Sequence, residues 1–358
     1  MSLIPLNKSS IHAIGLMSGT SLDGLDIAYC NFQFTENQWT YKIINAETIP
    51  YSGWWKKKLH NLFSGSAEEY SKTNTDLGHY FGQEILLFQK RHHINQVDLI
   101  ASHGHTIFHN PKQQFTSQIG DLSAINAITN CPTIGDFRTK DLALGGNGAP
   151  LVPIGDAMLF SKYASCVNLG GFANISFSKS KTRIAFDCCP VNMAINHFAS
   201  ELNLPFDDKG LIAANNAVDL DILERLNQLS FYQNEPPKSL GREWFEDSFL
   251  PLLSSKDLDP RVAISTCTEH AAIQIGKQLV PGNNLITGGG AYNDFLIKRI
   301  KHHTSNAVKL IIPESNLIEF KEALIFAFLG NLKALGEINV LKSVTGAKID
   351  HSSGAIYL

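Results

Sequence analysis

The sequence lacks the features that mark several classes of protein. In its 358 residues no apolar run approaches the roughly 18 uncharged residues of a membrane-spanning helix. Lys and Arg number 30 against 33 Asp and Glu, and no basic cluster offers a surface for nucleic acid. Small neutral or anionic ligands remain as partners, and neither a membrane nor nucleic acid is expected.

The sequence also has little that points to an oxidising compartment. Its 6 cysteines include no C-x-x-C pair, and a chain of this length needs no disulfide framework, so reduced thiols are expected. Residues 1–10 mix polar side chains with a proline and lack the basic and then apolar layout of a signal peptide. We therefore expect a cytoplasmic protein.

The two commonest nucleotide-binding signatures are absent as well. The chain has no G-x-x-x-x-G-K-[ST] motif and no strand-linked G-x-G-x-x-G motif. The P-loop and Rossmann interpretations therefore lose their main support.

The pattern of apolar residues predicts two copies of one α/β unit. Each half has a glycine-containing turn between two apolar runs, and the turns at Gly19 and Gly171 lie 152 residues apart. Both halves continue with a third strand and then with helices and strands. The predicted strands are 11–17, 25–32, 41–48, 97–102, 166–169, 173–177, 183–186, 284–287 and 308–312, and the predicted helices lie within 52–93 (broken near 64–66), 122–129, 191–202, 211–229, 264–279, after 293, and 320–335.

Three glycine-containing loops are candidates for holding phosphates. Residues 19–26, with the sequence GTSLDGLD, combine glycines, hydroxyls and carboxylates in one turn. Bare amides and hydroxyls donate to phosphate oxygens, and carboxylates hold Mg²⁺ directly or through water. An ordinary hairpin turn with a positive φ supplied by Asp23-Gly24 also explains this segment. The loop at 170–171 matches it in the second half, and the loop at 288–290 follows an apolar strand, as expected of a surface for adenosine.

These loops belong to motifs that run in order from residue 14 to residue 323. Together they resemble the sequence pattern of the anhydro-N-acetylmuramic acid kinase family over essentially the whole chain. The motifs are IGLMSGTSLDGLD (14–26), SHG (102–104), QIGD (118–121), GDFR (135–138), GGNGAPLVP (145–153), NLGGFANI (168–175), KSLGRE (238–243), GGGAYN (288–293) and KEA (321–323).

The resemblance implies an α/β protein with the two-domain fold of actin-like ATPases and sugar kinases, in which duplicated ribonuclease-H-like cores flank an interdomain active-site cleft. The domains are expected at residues 1–134, completed by 338–358, and at 135–337. The family uses ATP and Mg²⁺, forms homodimers and recycles cell-wall sugar. Its reaction opens 1,6-anhydro-N-acetylmuramic acid with water and phosphorylates O6, which gives N-acetylmuramic acid 6-phosphate.

The resemblance assigns catalysis to Asp187 as the base that deprotonates the attacking water. From the residues alone, Asp187 ends an apolar strand shortly before Pro190, which could open a helix, and a helix-capping Asp fits the same pattern. Family members commonly have Asp-Thr-Gly-Pro-Gly-Asn or similar here, whereas this chain has Cys188, Cys189 and Val191. A bulkier loop near the phosphates is therefore expected, with the two cysteines as small, partly buried fillers.

Three side chains are expected to contact the sugar by resemblance: Arg138, Glu322 and His103. Arg138 suits a substrate carboxylate, although a domain-bridging ion pair with Asp136, Asp141 or another acid also explains it. Glu322 would accept hydrogen bonds from sugar hydroxyls, or else serve as a charge at a helix N-terminus.

His103 also begins an H-x-H-x-x-x-H cluster with His105 and His109. A zinc site is disfavoured because no Asp or Cys follows at a metal-ligand spacing. His103 is therefore interpreted as a residue that lines the sugar site.

ATP is expected at the three glycine loops. Asp23 and Asp26 are candidate contacts to a metal ion through water, although capping of the hairpin also explains either of them. The expected nucleotide-binding residues are Gly19, Thr20, Ser21, Leu22, Asp23, Gly24, Leu25, Asp26, Gly170, Gly171, Gly288, Gly289 and Gly290.

Two other functions fit the same fold. One is a kinase of this superfamily that acts on another small sugar, since changes in loops retarget pockets without changing a fold. The other is a sugar or nucleotide sensor that has lost turnover through the altered 188–191 segment.

Overall fold

The protein, studied as a computed structural model, is described for residues 10–254 and 258–358. Residues 1–9, which carry most of the expectation about a signal peptide, lie outside this part. The chain divides into a first compact unit, Met1–Leu159 with Phe320–Leu358, and a second, Phe160–Glu319. These boundaries differ from 134/135 and 337/338, because the segments 135–159 and 320–337 pack with the first unit.

Each unit begins with three consecutive strands, which are followed by helices and further strands. In chain order the strands are β1 (Ile11–Ser18), β2 (Gly24–Thr35), β3 (Gln38–Pro50), β4 (Leu99–Asn110), β5 (Phe115–Ile119), β6 (Thr133–Gly135), β7 (Ser165–Leu169), β8 (Phe172–Lys179), β9 (Thr182–Pro190), β10 (Gly282–Thr287), β11 (Val308–Ile311) and β12 (Ala355–Tyr357).

The longest helices are α2, α11 and α13; α2 and α11 pack with strands of their own units, and α13 packs with the first sheet from Phe320 onward. In chain order the helices are α1 (Gly53–Asn61), α2 (Ala67–Arg91), α3 (Leu122–Thr129), α4 (Thr139–Ala143), α5 (Val152–Leu159), α6 (Asn192–Glu201), α7 (Leu211–Ala214), α8 (Leu220–Asn227), α9 (Arg242–Trp244), α10 (Leu250–Ser254), α11 (Pro260–Gln278), α12 (Asp294–His302), α13 (Ser315–Leu335) and α14 (Lys342–Thr345).

The two units contain sheets of matching topology. In the first, the order is β12-β6-β4-β1-β2-β3, with β5 paired to β4; in the second it is β11-β10-β7-β8-β9. In each, three antiparallel strands connected in sequence are extended by parallel strands beside the first of them. The α/β fold with duplicated cores that was predicted from element order is confirmed. The C-terminal strand β12 pairs with β6 and so joins the first sheet.

Close packing between helix α13 and the first sheet depends on glycine. A Cβ at Gly15 in β1 would overlap the backbone carbonyl of Ala323 in α13, and a Cβ at Gly330 in α13 would lie 2.5 Å from Cβ of Ala101 in β4. Any side chain at either position would push the helix from the sheet. The contact between Gly15 and Ala323 fixes the distance of α13 from β1. Ala323 directly follows Glu322 in the helix.

Several predicted elements differ from the structure. Strand β4 runs to Asn110, well beyond the predicted end at residue 102, because β5 supplies a partner for its second half. The predicted helix 211–229 is divided into α7 and α8, since Ser265 holds the carbonyls of Ala213 and Asn216, and Asp219 caps α8. Strands β5, β6 and β12 are short or polar and carry little periodic signal. The predicted break near 64–66 is confirmed: Ser66 and Glu69 form a capping box that begins α2.

None of the helices within residues 10–254 and 258–358 combines the length and apolarity that crossing a bilayer requires. All six cysteines belong to this described part and are buried free thiols.

Candidate active site

Asp187 of the second unit is held by backbone groups from a distant loop. Its Oδ2 accepts the backbone N–H of Leu240 at 2.8 Å, and its own N–H donates to the carbonyl of Lys238 at 3.1 Å. Burial raises the pKa of the Asp187 carboxyl to about 6, and the Leu240 N–H, which favours the charged form, offsets part of that rise. The carboxylate is thus both oriented and more basic than an exposed aspartate.

The position of Asp187 within its strand corrects the expectation from the sequence. Strand β9 continues through Pro190, and helix α6 begins at Asn192, so Asp187 neither ends the strand nor caps the helix. A register shift between β8 and β9 leaves Asp187 opposite Asn174 while Cys189 pairs with Ala173. Such a bulge redirects neighbouring side chains along a strand.

The cysteines beside Asp187 are accommodated in the core. Cys188 is 3% and Cys189 0% exposed, and Cys189 Sγ lies 3.8 Å from the carbonyl of Ala271 in α11. Val191 is also fully buried. The bulk that distinguishes this segment from the family pattern therefore packs inward, and the sequence expectation of partly buried cysteines understated their burial.

The two glycine loops of the second unit meet around Asn192. The Asn192 side chain donates to the Leu169 carbonyl at 3.1 Å, and its backbone N–H donates to Gly170. A Cβ at Gly289 would lie 3.6 Å from Asn192 Nδ2, and one at Gly290 would lie 3.5 Å from Oδ1. Asn192 is a candidate that sequence reasoning passed over as a site residue, although it stands in the same motif as Asp187.

The glycines in these loops are present for different structural reasons. Gly288 has φ of +81°, and a Cβ there would overlap the side chain of Asn168, so the fold itself requires glycine. At Gly171 and Gly289, both exposed, a Cβ would meet no atom nearer than 3.7 and 3.6 Å, respectively. Packing does not explain glycine at these two positions, whereas close approach of a ligand to bare backbone would.

The loop at 19–26 in the first unit is a tight turn of unusual conformation. Leu22 adopts φ of +61°, and its N–H donates to the Gly19 carbonyl at 3.2 Å. Gly24 has no positive φ; it begins β2, where a Cβ would overlap the Ile49 carbonyl. The alternative of an Asp23-Gly24 turn with positive φ at the glycine is therefore wrong. A left-handed leucine is strained, and strain of this kind concentrates at functional sites.

Arg138 and His103 form a hydrogen-bonded pair in the first unit. Arg138 Nε and Nη2 lie 3.0 and 2.9 Å from His103 Nε2, and Nη1 donates to the Gly148 carbonyl at 2.6 Å. His103 Nδ1 lies 2.9 Å from the Gly104 carbonyl, which only accepts, so Nδ1 carries the proton and Nε2 accepts from Arg138. The ion pair with Asp136 or Asp141, the alternative from the sequence, is absent among the described residues.

Both members of this pair have shifted pKa values. Burial, with the Arg138 guanidinium adding to it, holds the pKa of His103 well below its ordinary range, so the ring stays neutral and serves as an acceptor. Burial lowers the pKa of Arg138 to about 10, against the opposing charges of Glu322 and Asp141, and the guanidinium remains charged at neutral pH.

Glu322 lies on α13, two turns after its start at Ser315, so the alternative of a helix N-terminal charge does not apply. Burial raises the pKa of its carboxyl; the charge of Arg138 opposes this rise and that of Asp26 adds to it. The preceding residue, Lys321, pairs with Asp156 at 2.8 Å in the interior and ties α13 to α5. The structure thus brings Arg138, His103, Glu322 and Asp26 together in one unit.

A polar cavity of about 330 Å³ opens beside His103. Its walls come from the SHG, QIGD and GDFR motifs together with the chain's C-terminal strand. The lining residues include Ser102, His103, Gln118, Asp121, Asp136 and Tyr357.

The candidates for metal binding are His105 and His109 and the loop that carries Asp23 and Asp26. His105 Nδ1 lies 2.9 Å from Ser18 Oγ, and His109 Nδ1 lies 3.1 Å from Thr116 Oγ1. Within the described ranges, no group of three or more His, Cys, Asp or Glu could hold a metal ion. Of the acidic pair, Asp26 accepts from Thr48 Oγ1 at 2.6 Å and Asp23 is exposed.

Comparison with known proteins identifies the family. The model of the family described as anhydro-N-acetylmuramic acid kinase matches residues 11–358. This chain belongs to the anhydro-N-acetylmuramic acid kinase family. Proteins of that name from Coxiella burnetii and Aliivibrio fischeri are both 34% identical to it, over 96% of this chain and 96% and 98% of their own lengths. One from Francisella tularensis subsp. novicida is 33% identical over 94% of this chain.

Solved structures with which this kinase-family chain aligns are more distant. The (R)-2-hydroxyglutaryl-CoA dehydratase component A of Acidaminococcus fermentans aligns over 90% of this chain and 99% of its own, with 12% identity and a TM-score of 0.46. A ROK family glucokinase from Streptomyces griseus, in complex with glucose and AMPPNP, aligns over 89% of this chain and 98% of its own, with 10% identity and a TM-score of 0.39.

Proposed function

We propose that the chain phosphorylates O6 of 1,6-anhydro-N-acetylmuramic acid with ATP while water opens the anhydro bond. Membership of the kinase family supports the reaction class. The observation that carries the proposal is Asp187, whose carboxylate is fixed by backbone groups on both sides and has a pKa raised by burial to about 6. A base of this strength is ionised at neutral pH and still accepts a proton readily.

In the proposed reaction, Asp187 takes a proton from the water whose oxygen attacks C1. The C1–O6 bond breaks, and its electron pair goes to O6. O6 then bonds to the γ-phosphorus as the bond from that phosphorus to the bridging oxygen of ADP breaks. The products are N-acetylmuramic acid 6-phosphate and ADP, and Asp187 returns its proton to solvent.

We assign the nucleotide to the glycine loops at 19–26, 170–171 and 288–290. The support is the exposed backbone at Gly171 and Gly289, where an added Cβ would make only ordinary contacts, so that packing does not require glycine. Asp23 and Asp26 are the donors that suit Mg²⁺, directly or through water. When bound, Mg²⁺ would neutralise charge on the phosphates.

We assign the sugar to the group around Arg138. Its guanidinium, held by His103 and Gly148, suits the lactyl carboxylate of the muramic acid, because planar guanidinium donors match a carboxylate. Glu322 suits a sugar hydroxyl, since its carboxylate makes no hydrogen bond within the described residues. The cavity beside His103 offers room for part of the ligand.

Three further properties belong to the same proposal. As in the family pattern, we propose a homodimer, a cytoplasmic location and a place in the recycling of cell-wall sugar. Size-exclusion chromatography with light scattering tests the first of these.

Phosphorus NMR on the protein with Mg·ATP and 1,6-anhydro-N-acetylmuramic acid tests the reaction. We expect a new phosphomonoester signal with the wild type and none without sugar or with Asp187→Asn. Asp247→Asn, an exposed aspartate in the same unit, is the matched control and keeps the signal. No signal from wild type that still binds both ligands would point instead to a sensor, and a signal with a different sugar to another kinase.

A further inference from the structure

The orientation of Arg138 depends on the loop at 145–148, which follows it by about ten residues. One of its guanidinium nitrogens, Nη1, donates to the Gly148 carbonyl at 2.6 Å, and its other polar contacts are to His103. Gly148 itself has φ of +68°, a backbone conformation that residues with side chains disfavour. The residue that presents this carbonyl is held in place by its neighbours.

The Asp141 carboxylate holds Gly148 by its backbone N–H, on the other side of the Cα from the carbonyl that Arg138 contacts. Asp141 is fully buried, and its Oδ2 accepts the backbone N–H of Gly148 at 2.7 Å. The Asp141 carbonyl also accepts the N–H of Gly146 at 2.9 Å, and a Cβ at Gly146 would overlap the carboxylate. Asp141 thus holds two residues of the turn, Gly146 through its backbone carbonyl and Gly148 through its side chain.

The other oxygen of Asp141 is held by the C-terminal segment. Thr345 Oγ1 donates to Asp141 Oδ1 at 2.7 Å, and the Thr345 carbonyl accepts the N–H of Asn147 at 2.8 Å. His351 Nε2, also buried, lies 3.6 Å from the same Oδ1. Lys348 N–H donates to the Leu144 carbonyl at 3.1 Å. The turn is therefore clamped between Asp141 and residues 345–348.

We propose that Asp141 and Thr345 are positioning residues that aim the Arg138 guanidinium at the carboxylate of the substrate, through the backbone of Gly148. This inference rests on the proposed function of Arg138. Asp141 fixes the N–H of Gly148 and so places the residue whose carbonyl accepts from the Arg138 guanidinium. The C-terminal segment acts on sugar binding through this chain of contacts, 204 residues from Asp141 in sequence.

A merely structural role for a buried carboxylate predicts a different result. Were Asp141 present only to satisfy the turn, loss of the Thr345 hydroxyl would lower stability and leave sugar affinity unchanged. Positioning predicts a selective loss of affinity for a sugar that carries a carboxylate. The two roles are therefore distinguished by the KM for sugar and the KM for ATP: positioning raises only the first, and a structural role raises neither selectively.

Thr345→Val removes the hydroxyl and keeps the shape. We expect the KM for 1,6-anhydro-N-acetylmuramic acid to rise about tenfold, the size of one hydrogen bond to a charged group, while the KM for ATP changes less than twofold. Thr345→Ser retains the hydroxyl and should restore the wild-type KM. Thr268→Val, which loses a buried hydroxyl bonded within α11 of the other unit, should leave the sugar KM unchanged.

A double-mutant cycle with Arg138→Ala tests whether the effect passes through Arg138. In that background, Thr345→Val should raise the sugar KM less than twofold further, because the group that it positions is gone. An additional tenfold rise there, or equal rises in both KM values in the single variant, would overturn the proposal. If Thr345→Val is not recovered folded, Thr345→Ala replaces it, since it also lacks the hydroxyl but puts no methyl group against the carboxylate.

The outcome is separable from the proposed function. If wild type gives no phosphomonoester with the muramic acid sugar, the proposed function fails. The positioning effect is then measured by calorimetry, as the difference in sugar Kd between wild type and Thr345→Val. If wild type turns over and Thr345→Val leaves the sugar KM within twofold of wild type, the function stands and the positioning proposal is overturned.

Discussion

Leu240 donates its backbone N–H to Asp187 Oδ2 at 2.8 Å across 53 residues of sequence. Because the donor is a backbone group, the bond survives most changes of the Leu240 side chain. It stabilises the ionised carboxylate, whereas burial favours the protonated one, and the balance leaves the pKa of Asp187 at about 6. The loop at 238–240 therefore orients the proposed base and offsets part of the rise in pKa that burial causes.

The pH dependence of turnover should report this carboxyl. A general base works when it is deprotonated, so kcat/KM should fall about tenfold per pH unit below pH 6 and level off above it. Rates measured from pH 4.5 to 8.5 check this, with stability followed in parallel to exclude acid unfolding. A profile flat down to pH 4.5 would contradict the assignment.

Asp187→Asn should remove activity and add stability. We expect kcat to fall by a factor on the order of 10³, since general base catalysis typically contributes 10² to 10⁴. The folded-state pKa is raised, so the stability contributed by Asp187 is present below its ordinary pKa and is lost as the pH rises through about 6.

The variant cannot ionise and escapes this loss. Its free energy of unfolding should therefore exceed that of wild type by about 1 to 2 kcal/mol at pH 7.5, after allowing for solvent around a half-buried group, and show little gain at pH 4. Urea unfolding at both pH values measures it. A less stable variant at pH 7.5 would argue against a desolvated carboxylate.

Arg138→Ala should distinguish substrates by their charge. The KM for 1,6-anhydro-N-acetylmuramic acid should rise about 100-fold, because a hydrogen bond between charged groups is lost. For 1,6-anhydro-N-acetylglucosamine, which lacks the lactyl carboxylate, wild type and variant should agree within about threefold. Equal losses with both sugars would mean that Arg138 does not bind that carboxylate.

Replacement of His103 should be tolerated only by a side chain that offers a neutral hydrogen-bond acceptor. The pKa of His103 lies well below its ordinary range, so its Nε2 accepts from Arg138 throughout neutral pH. His103→Gln, which can offer an amide oxygen, should raise the sugar KM only a few-fold, whereas His103→Leu should raise it at least tenfold. Steady-state kinetics on both variants decide this, and a greater loss in the Gln variant would refute the acceptor role.

Gly289 and Gly288 should respond differently to valine. A Cβ at Gly289 would make only an ordinary contact, 3.6 Å from Asn192 Nδ2, so Gly289→Val should fold normally and raise the KM for ATP about tenfold more than that for sugar. Gly288 has φ of +81° and contacts Asn168, so Gly288→Val should lower the melting temperature by several degrees. Unchanged ATP kinetics in a folded Gly289→Val would remove this loop from the nucleotide site.

Local patterns in the sequence determined a large part of this protein. Apolar periodicity placed most strands and the duplicated order of the two sheets, and glycines at fixed spacing marked the loops. The family motifs identified Asp187, Arg138, Glu322 and His103 as candidates. These signals are readable because side-chain alternation and turn chemistry depend on neighbours a few residues apart.

The tertiary structure decided which groups act on one another. The Leu240 N–H at Asp187 and the chain from Thr345 through Asp141 and Gly148 to Arg138 join residues up to 204 positions apart. Likewise, the short strand β6 forms because β4 and β12, both distant in sequence, supply its backbone partners on either side. No local pattern encodes such pairings, since a hydrogen bond between distant segments forms only after the sheet and its helices bring them together.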